Sequence, residues 1–185
     1  MSDTPQRAVP VTLDRRVVHQ GRKIRVRLDR VRLPSGGEGT QDVIEHPGAV
    51  AIVPILPSGR IALIRQWRHA VGRWLFEVPA GTLEPGEAPE DCARREVQEE
   101  TGYAAGEVTP LLTFYTTPGF TDEVMYGFVA RDLRSAPAQG DADEVIEVEE
   151  FECAEALAMC RDGRIMDGKT VACLLAAEAA GLLCS

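Results

Sequence analysis

Paired cysteines, long apolar runs and an apolar leader are all missing from this sequence, and each absence argues against a class of protein. The five cysteines are odd in number and form no CxxC pair, which argues against a disulfide framework and a zinc knuckle. No apolar run approaches the roughly 18 to 20 residues of a membrane helix, and residues 1–10 lack the apolar stretch of a secretory signal. We therefore expect a cytoplasmic protein with reduced thiols and no membrane partner.

Positive charge is also in deficit. The chain of 185 residues carries a formal net charge of −9 at pH 7. This charge argues against a nucleic acid as partner, because sequence-independent binding to nucleic acid needs a basic surface. Hydrophobic residues make up 44% of the chain, which is enough for a folded core and too many for a disordered protein. The length fits one ordinary domain with a small appendage.

A change in the hydrophobic pattern divides the chain near His46. Residues 17–33 alternate apolar with basic side chains, which predicts half-buried antiparallel strands. The cluster of proline, serine and glycine that follows predicts a hairpin turn and a returning strand. A proline and a glycine directly after His46 then mark a break. We predict a small N-terminal antiparallel sheet in residues 1–46 and a main domain in residues 47–185.

The main domain is predicted to contain strands on both sides of one central helix. The helix is expected at residues 89–101, because Pro89 suits its first turn and Gly102 suits the left-handed residue that ends it. Other strands are predicted at 49–56, 60–67, 74–78, 106–115, 123–130 and 144–151, and two closing helices at 154–162 and 169–183. This order, without a repeating βαβ unit, favours an α+β sandwich with a mixed sheet.

Three glutamates crowd the end of the predicted central helix. Glu96, Glu99 and Glu100 stand at spacings i, i+3 and i+4, so they share one arc of the helix surface, where like charges repel by roughly 0.2–0.5 kcal/mol per pair. They also occupy the last turns, where the helix dipole disfavours carboxylates. A bound Mg²⁺ would compensate for both, because it prefers carboxylate and carbonyl oxygens. The alternative is a solvated acidic face balanced by Arg94 and Arg95.

The residues around these glutamates resemble a known signature. With an apolar Val97, the positions that match the signature of the Nudix hydrolases are Gly81, Glu87, Arg95, Glu96, Glu99, Glu100 and Gly102. The resemblance implies a Nudix-type α/β/α sandwich and hydrolysis of a nucleoside diphosphate linked to another group. It implies that Mg²⁺, with Mn²⁺ as a possible substitute, binds the carboxylates of Glu96, Glu99 and Glu100 and the carbonyl oxygen of Ala80. It also implies that Arg95 pairs with Glu87.

Sequence outside the signature is similar to one branch of that family, the ADP-ribose pyrophosphatases. The similar stretches are residues 45–55, 65–81, 115–123, 141–151 and 165–175, so the similarity extends over roughly residues 17–180. Pro118 follows Tyr103 by 15 residues, a spacing typical of the branch. It implies Mg²⁺-dependent hydrolysis of ADP-ribose to AMP and ribose 5-phosphate. It further implies a homodimer whose subunits exchange their N-terminal sheets.

The same resemblance assigns substrate contacts to four further positions. Arg68 would contact a phosphate, and Glu77 would help to shape the same pocket. Pro118 and Phe120 would lie near the ribose or the base, although packing within its turn is the expectation that we favour for Phe120.

The resemblance also implies catalytic roles for Glu144, Glu99 and Arg95. Glu144 matches the loop that supplies a catalytic glutamate in this branch, and we expect it to be the general base for the attacking water. Asp143 and Asp141 are its competitors, and a solvated acidic loop is the alternative interpretation.

Residues 1–45 contain no Phe, Tyr or Trp, although the branch often stacks adenine on aromatics of its N-terminal sheet. GDP-mannose or another nucleoside diphosphate sugar therefore stays open as the substrate. Trp67 and Trp74 are alternative stacking residues, although core packing is the expectation that we favour for both. A Nudix-fold binding or regulatory module without turnover is a further alternative. The presence of all three helix glutamates argues against it.

Overall fold

The computed structural model describes residues 7–22, 24–137 and 145–183. The chain divides into two compact units, one formed by Met1–His46 with Thr117–Glu123 and the other by Pro47–Thr116 with Val124–Ser185. The segment 117–123, which the sequence-based division left in the main domain, is thus grouped with the N-terminal residues.

The first unit is built on an antiparallel sheet in the order β1-β2-β3. Its strands are β1 (Val11–Gln20), β2 (Arg25–Arg32) and β3 (Glu38–Glu45). Gly36, with a φ of +90°, lies in the predicted turn between β2 and β3, where a left-handed residue is needed. Arg27 pairs with Asp29 and with Glu45, so the carboxylate of Asp29, a residue only 6% exposed, has a cationic partner.

The second unit contains an antiparallel sheet in the order β10-β5-β6 and a sheet in the order β7-β4-β9-β8. The strands are β4 (Ala49–Pro54), β5 (Ile61–Arg68), β6 (Arg73–Glu77), β7 (Ala80–Thr82), β8 (Tyr103–Tyr115), β9 (Val124–Ser135) and β10 (Ile146–Phe151). Because β4 runs parallel to β9 whereas its other neighbour is antiparallel, the second sheet is mixed, as predicted. The short strand β7 was not predicted from the sequence, since its three residues carry no recognisable pattern.

Helices cover both faces of the mixed sheet. The helices are α1 (Pro89–Thr101), α2 (Cys153–Asp162) and α3 (Gly168–Ala179). Along β4, Val50 and Ile52 belong to the core that α1 closes, whereas Ala51 and Val53 belong to the core that α2 and α3 close. Both faces of β4 are therefore buried, which is why its sequence is a continuous apolar run. This arrangement confirms the predicted α+β sandwich.

Helix ends follow local signals where those signals are strong. Helix α1 has the predicted bounds, with Pro89 in its first turn and Gly102, at a φ of 71°, as its left-handed C-cap. The prediction that the last helix reaches residue 183 is wrong, because α3 ends at Ala179 and Gly181 has a φ of +67°. Among the described residues no helix can span a bilayer; α1, the longest, has 13 residues.

Candidate active site

The acidic end of α1 packs against β7. Glu96 and Glu100 are buried, and the side chain of Glu99 is one-third exposed. The carboxylate of Glu100 accepts a hydrogen bond from the backbone N–H of Ala80 at 2.9 Å. The structure therefore brings the predicted carboxylates to the strand that also carries the predicted carbonyl ligand.

Gly81 makes room for one of these carboxylates. A Cβ atom at this position would overlap the carboxyl group of Glu96. The backbone of Gly81 is outside the left-handed region, so the need for glycine here is steric and not conformational. The present position of the Glu96 carboxylate against β7 thus depends on the missing side chain.

Arg95 gathers three carboxylates around one guanidinium. Its Nη1 donates to Glu96 at 2.6 Å and to Glu99 at 3.0 Å, while its Nε and Nη2 donate to the two carboxylate oxygens of Glu87 at 2.9 and 3.0 Å. The ion pair between Arg95 and Glu87 that the resemblance implied is present. These hydrogen bonds from Arg95 lower the pKa of Glu87 to about 2.

The donor chemistry of this cluster suits a hard divalent cation. Carboxylates outnumber the guanidinium, and Glu100 adds a further negative charge one residue beyond Glu99. Within the described ranges, no group of three or more His, Cys, Asp or Glu side chains is arranged so that it could hold a metal ion. The Nη1 of Arg95 instead bridges Glu96 and Glu99. An incoming cation would compete with this guanidinium for the same oxygens. The assignment of the metal ligands stays a prediction.

A second charged cluster joins β5 and β6 to the start of α3. The carboxylate of Glu77 is fully buried and accepts two hydrogen bonds from Arg68, from Nε and Nη2, both at 2.7 Å. Lys169 also donates to this carboxylate and lies 3.0 Å from Asp167. Burial acts to raise the pKa of Glu77, but the hydrogen bonds from Arg68 and the charge of Lys169 outweigh it and lower that pKa. The predicted neighbours Arg68 and Glu77 are thus directly paired.

Sequence reasoning did not single out the residues of α3 that complete this cluster. Asp167 caps the helix by accepting hydrogen bonds from the backbone N–H and the hydroxyl of Thr170. The hydroxyl oxygen of Thr170 in turn accepts the N–H of Val78 at 2.9 Å. The available signal was an aspartate three residues before a threonine, which is an N-cap pattern. These contacts tie the residues that precede Ala80 to α3.

The remaining predicted site residues belong to the first unit or lie outside the described residues. Pro118 and Phe120 belong to the first unit, where Phe120 is 51% exposed and its carbonyl accepts the N–H of Ile44 at 2.7 Å. Glu144 and its competitors Asp143 and Asp141 lie outside the described residues. Their proposed roles therefore stay predictions.

The two tryptophans face away from Arg68. Trp67 and Trp74 are paired across β5 and β6, with ring centroids 6.0 Å apart, and the Arg65 guanidinium lies over the Trp74 ring. Both are more than one-third exposed, so the expectation of core packing is wrong for them. Because successive residues of a strand point to opposite faces, Trp67 and Arg68 lie on different faces of β5.

Known proteins resemble this chain in sequence and in fold. A family model described as the NUDIX domain matches residues 45–172. The chain is 37% identical over 161 residues to an ADP-ribose pyrophosphatase of Bacillus subtilis (strain 168), covering 86% of this chain and 87% of that protein. It is 41% identical over 145 residues to a GDP-mannose pyrophosphatase of Yersinia enterocolitica serotype O:8, covering 74% and 75%. A crystal structure of an ADP compounds hydrolase has the same fold, with a TM-score of 0.85 at 23% identity, covering 97% of this chain and 100% of that one.

Proposed function

We propose that this chain, which belongs to the Nudix family, is a pyrophosphohydrolase that cleaves ADP-ribose into AMP and ribose 5-phosphate. The observation that carries the proposal is the acidic end of α1, where Arg95 gathers Glu96 and Glu99 beside Gly81. The similarity to an ADP-ribose pyrophosphatase over most of the chain supports this choice of substrate.

A divalent metal ion is part of this proposal. Mg²⁺, or Mn²⁺ in its place, would be held by the carboxylates of Glu96, Glu99 and Glu100 and the carbonyl oxygen of Ala80. Their hard oxygen atoms are the ligands that such ions prefer. Bound there, the ion would neutralise part of the charge of the pyrophosphate and act as a Lewis acid toward phosphorus and water.

Other side chains of the site would bind the substrate and move a proton. Arg68 keeps guanidinium donors that Glu77 does not use, and these suit the oxygens of a phosphate. Arg95 would hold the carboxylates of α1 in position. Glu144, or Asp143 or Asp141 in its place, would take the proton of the attacking water.

The proposed reaction is a hydrolysis that consumes one water molecule. The water oxygen forms a bond to one phosphorus of the pyrophosphate, and the bond between the bridging oxygen and that phosphorus breaks. One product gains the hydroxyl group and the other keeps the bridging oxygen, which gives AMP and ribose 5-phosphate whichever phosphorus is attacked.

GDP-mannose or another nucleoside diphosphate sugar is the second candidate substrate. Two observations favour it: residues 1–45 have no Phe, Tyr or Trp to stack adenine, and a GDP-mannose pyrophosphatase is among the relatives. The chemistry at the pyrophosphate would be unchanged. A binding module without turnover is disfavoured, because all three helix glutamates are present.

We also infer a homodimer in which the N-terminal sheets are exchanged. The residues of β1 support it, because Val11, Val17 and Val18 are each more than 40% exposed. Exposed apolar side chains on an edge strand favour pairing with another chain. A protein that sediments as a monomer in analytical ultracentrifugation and has full activity would contradict this inference. The cytoplasm stays the predicted location.

A substrate panel tests the proposed function directly. The purified chain is incubated with ADP-ribose or GDP-mannose at equal Mg²⁺ in ¹⁸O-labelled water, and both products are weighed by mass spectrometry. We expect faster turnover of ADP-ribose, with the label in one product identifying the attacked phosphorus. No turnover of either compound with Mg²⁺ or Mn²⁺ would refute the proposal.

Two variants of α1 test the metal assignment in the same assay. Glu99→Gln is expected to lower kcat by about 100-fold or more, because one charged ligand is lost. Glu90→Gln is the matched control: Glu90 lies in the first turn of the same helix, is half-exposed and pairs with Arg94. It should keep wild-type activity. Equal rates for the two variants would contradict the metal site.

The general base is tested by a kinetic comparison. Glu144→Gln is expected to lower kcat more than it raises KM, since a base acts on the chemical step. If only KM changes, Glu144 is a binding residue and the base is another group, with Asp143 and Asp141 the next to be replaced.

A further inference from the structure

Lys169 is the second cation on a carboxylate that has no contact with solvent. Glu77 is fully buried, and its Oε2 accepts hydrogen bonds from both Arg68 and Lys169, whose side chain is itself only 13% exposed. An ionised carboxylate in such a position needs strong compensation, because burial disfavours its charged form. Lys169 reaches it from α3, 92 positions further along the chain.

Charge is balanced in this cluster when all four groups are ionised. Glu77 and Asp167 supply the negative charges, and Arg68 and Lys169 supply the positive ones. Without Lys169 the same cluster would be net negative. Because Arg68 is the residue of this cluster that is proposed to bind a phosphate, the excess negative charge would lie where an anion has to bind.

Glu77 holds the guanidinium of Arg68 in one orientation. Glu77 occupies the Nε–H and one Nη2–H of Arg68, which fixes the plane of the guanidinium and leaves its other donors for a second acceptor. Arg68 is 38% exposed at its side chain, so those donors are not all buried. A fixed plane with unused donors is the geometry needed for a phosphate.

We propose that Lys169 is a positioning residue of the active site, which shares the charge of Glu77 so that Glu77 holds Arg68 in place without fully offsetting its positive charge toward a substrate phosphate. This inference rests on the proposed function. It concerns substrate binding and not the chemical step, so it predicts a change in affinity with little change in kcat.

Calorimetric and kinetic measurements on Lys169→Met test this role. Binding of ADP-ribose to the metal-free protein gives Kd, and turnover with Mg²⁺ gives kcat and KM. We expect Kd and KM to rise about 10-fold, as for loss of one well-placed charge, with kcat within about 3-fold of wild type. Arg161→Met is the matched control. It removes one positive charge from a surface pair with Glu178, near the other end of α3, and should leave all three constants unchanged.

A second pair of variants separates positioning through Glu77 from a purely structural role. In a Glu77→Gln background there is no carboxylate charge to share, so adding Lys169→Met should raise Kd by clearly less than the change of about 10-fold expected in the wild-type background, because only the general attraction of its charge is lost. If Lys169 only supports α3, the full effect would persist in that background. Should Lys169→Met not fold, Lys169→Gln takes its place, because its amide can still donate to Glu77.

The possible outcomes separate this inference from the proposed function. An active wild type with unchanged Kd and KM in Lys169→Met would overturn the role of Lys169 alone. The same loss of affinity in the Glu77→Gln background would also overturn it. A wild type that neither binds nor hydrolyses ADP-ribose, with GDP-mannose equally inert, would instead refute the proposed function.

Discussion

Replacing Gly81 by alanine tests the proposed metal site sharply, because the change displaces one carboxylate without removing any. A Cβ atom at position 81 would overlap the carboxyl group of Glu96, whereas the backbone there is one that alanine adopts freely. The overlapping group is the tip of a flexible side chain, so it can rotate away without moving the helix. We therefore expect a folded protein with a misplaced carboxylate.

The magnitude follows from the displacement that alanine imposes. Ordinary nonbonded contact requires about 3.5 Å between carbon atoms, so the carboxyl group of Glu96 has to retreat by more than about 1 Å. A misplacement of about 1 Å in an active site costs about 100-fold in rate, which corresponds to about 2.7 kcal/mol of transition-state stabilisation. The free energy of unfolding should change by less than about 1 kcal/mol, because alanine also restricts the unfolded chain.

The assay combines kcat/KM for ADP-ribose at saturating Mg²⁺ with thermal unfolding. Gly39→Ala, in β3, is the control, since a Cβ there meets no atom of the described residues within 4 Å. Wild-type kcat/KM in Gly81→Ala would refute the reasoning, because Glu96 would then not need its present position. A variant that fails to fold would refute it too, by showing that the carboxylate cannot yield.

Three further predictions concern stability and reactivity. Glu87→Gln should lower the free energy of unfolding by about 1–3 kcal/mol at pH 7, because the pair with Arg95 is lost. The folded pKa of Glu87 is about 2, below its ordinary 4.5, so the contribution of Glu87 to the free energy of unfolding is complete above pH 4.5 and is lost as the pH falls toward 2. Urea titrations at several pH values should therefore show the free energies of unfolding of wild type and Glu87→Gln converging as the pH falls. Thr170→Val should cost about 1–3 kcal/mol in the same measurement, because the buried N–H of Val78 loses its acceptor, whereas Thr170→Ser should cost less. Burial raises the pKa of the Cys173 thiol to about 12, so thiol reagents at pH 8 should label it after unfolding and not before; labelling of the native protein would contradict its burial.

Features that depend on neighbouring residues were predicted well from the sequence. Helix α1 has its predicted bounds because Pro89 and Gly102 act within one turn of its ends. The acidic arc of Glu96, Glu99 and Glu100 follows from helical spacing alone. The end of α3 was misplaced because the apolar residues beyond Ala179 continue a helical composition, although Gly181 leaves the helical conformation.

By itself, the sequence determined the identity of the family, the order of the helices and of the strands other than β7, and the grouping of three carboxylates on one helix, since each is written in residues that are close along the chain. Only the tertiary structure decided which groups from distant parts of the chain contact the carboxylates of the site. Gly81 meets Glu96 because β7 packs against α1, and Lys169 meets Glu77 because the start of α3 lies beside the end of β6. Buried charges are compensated through space, and the partner that compensates them is chosen by packing.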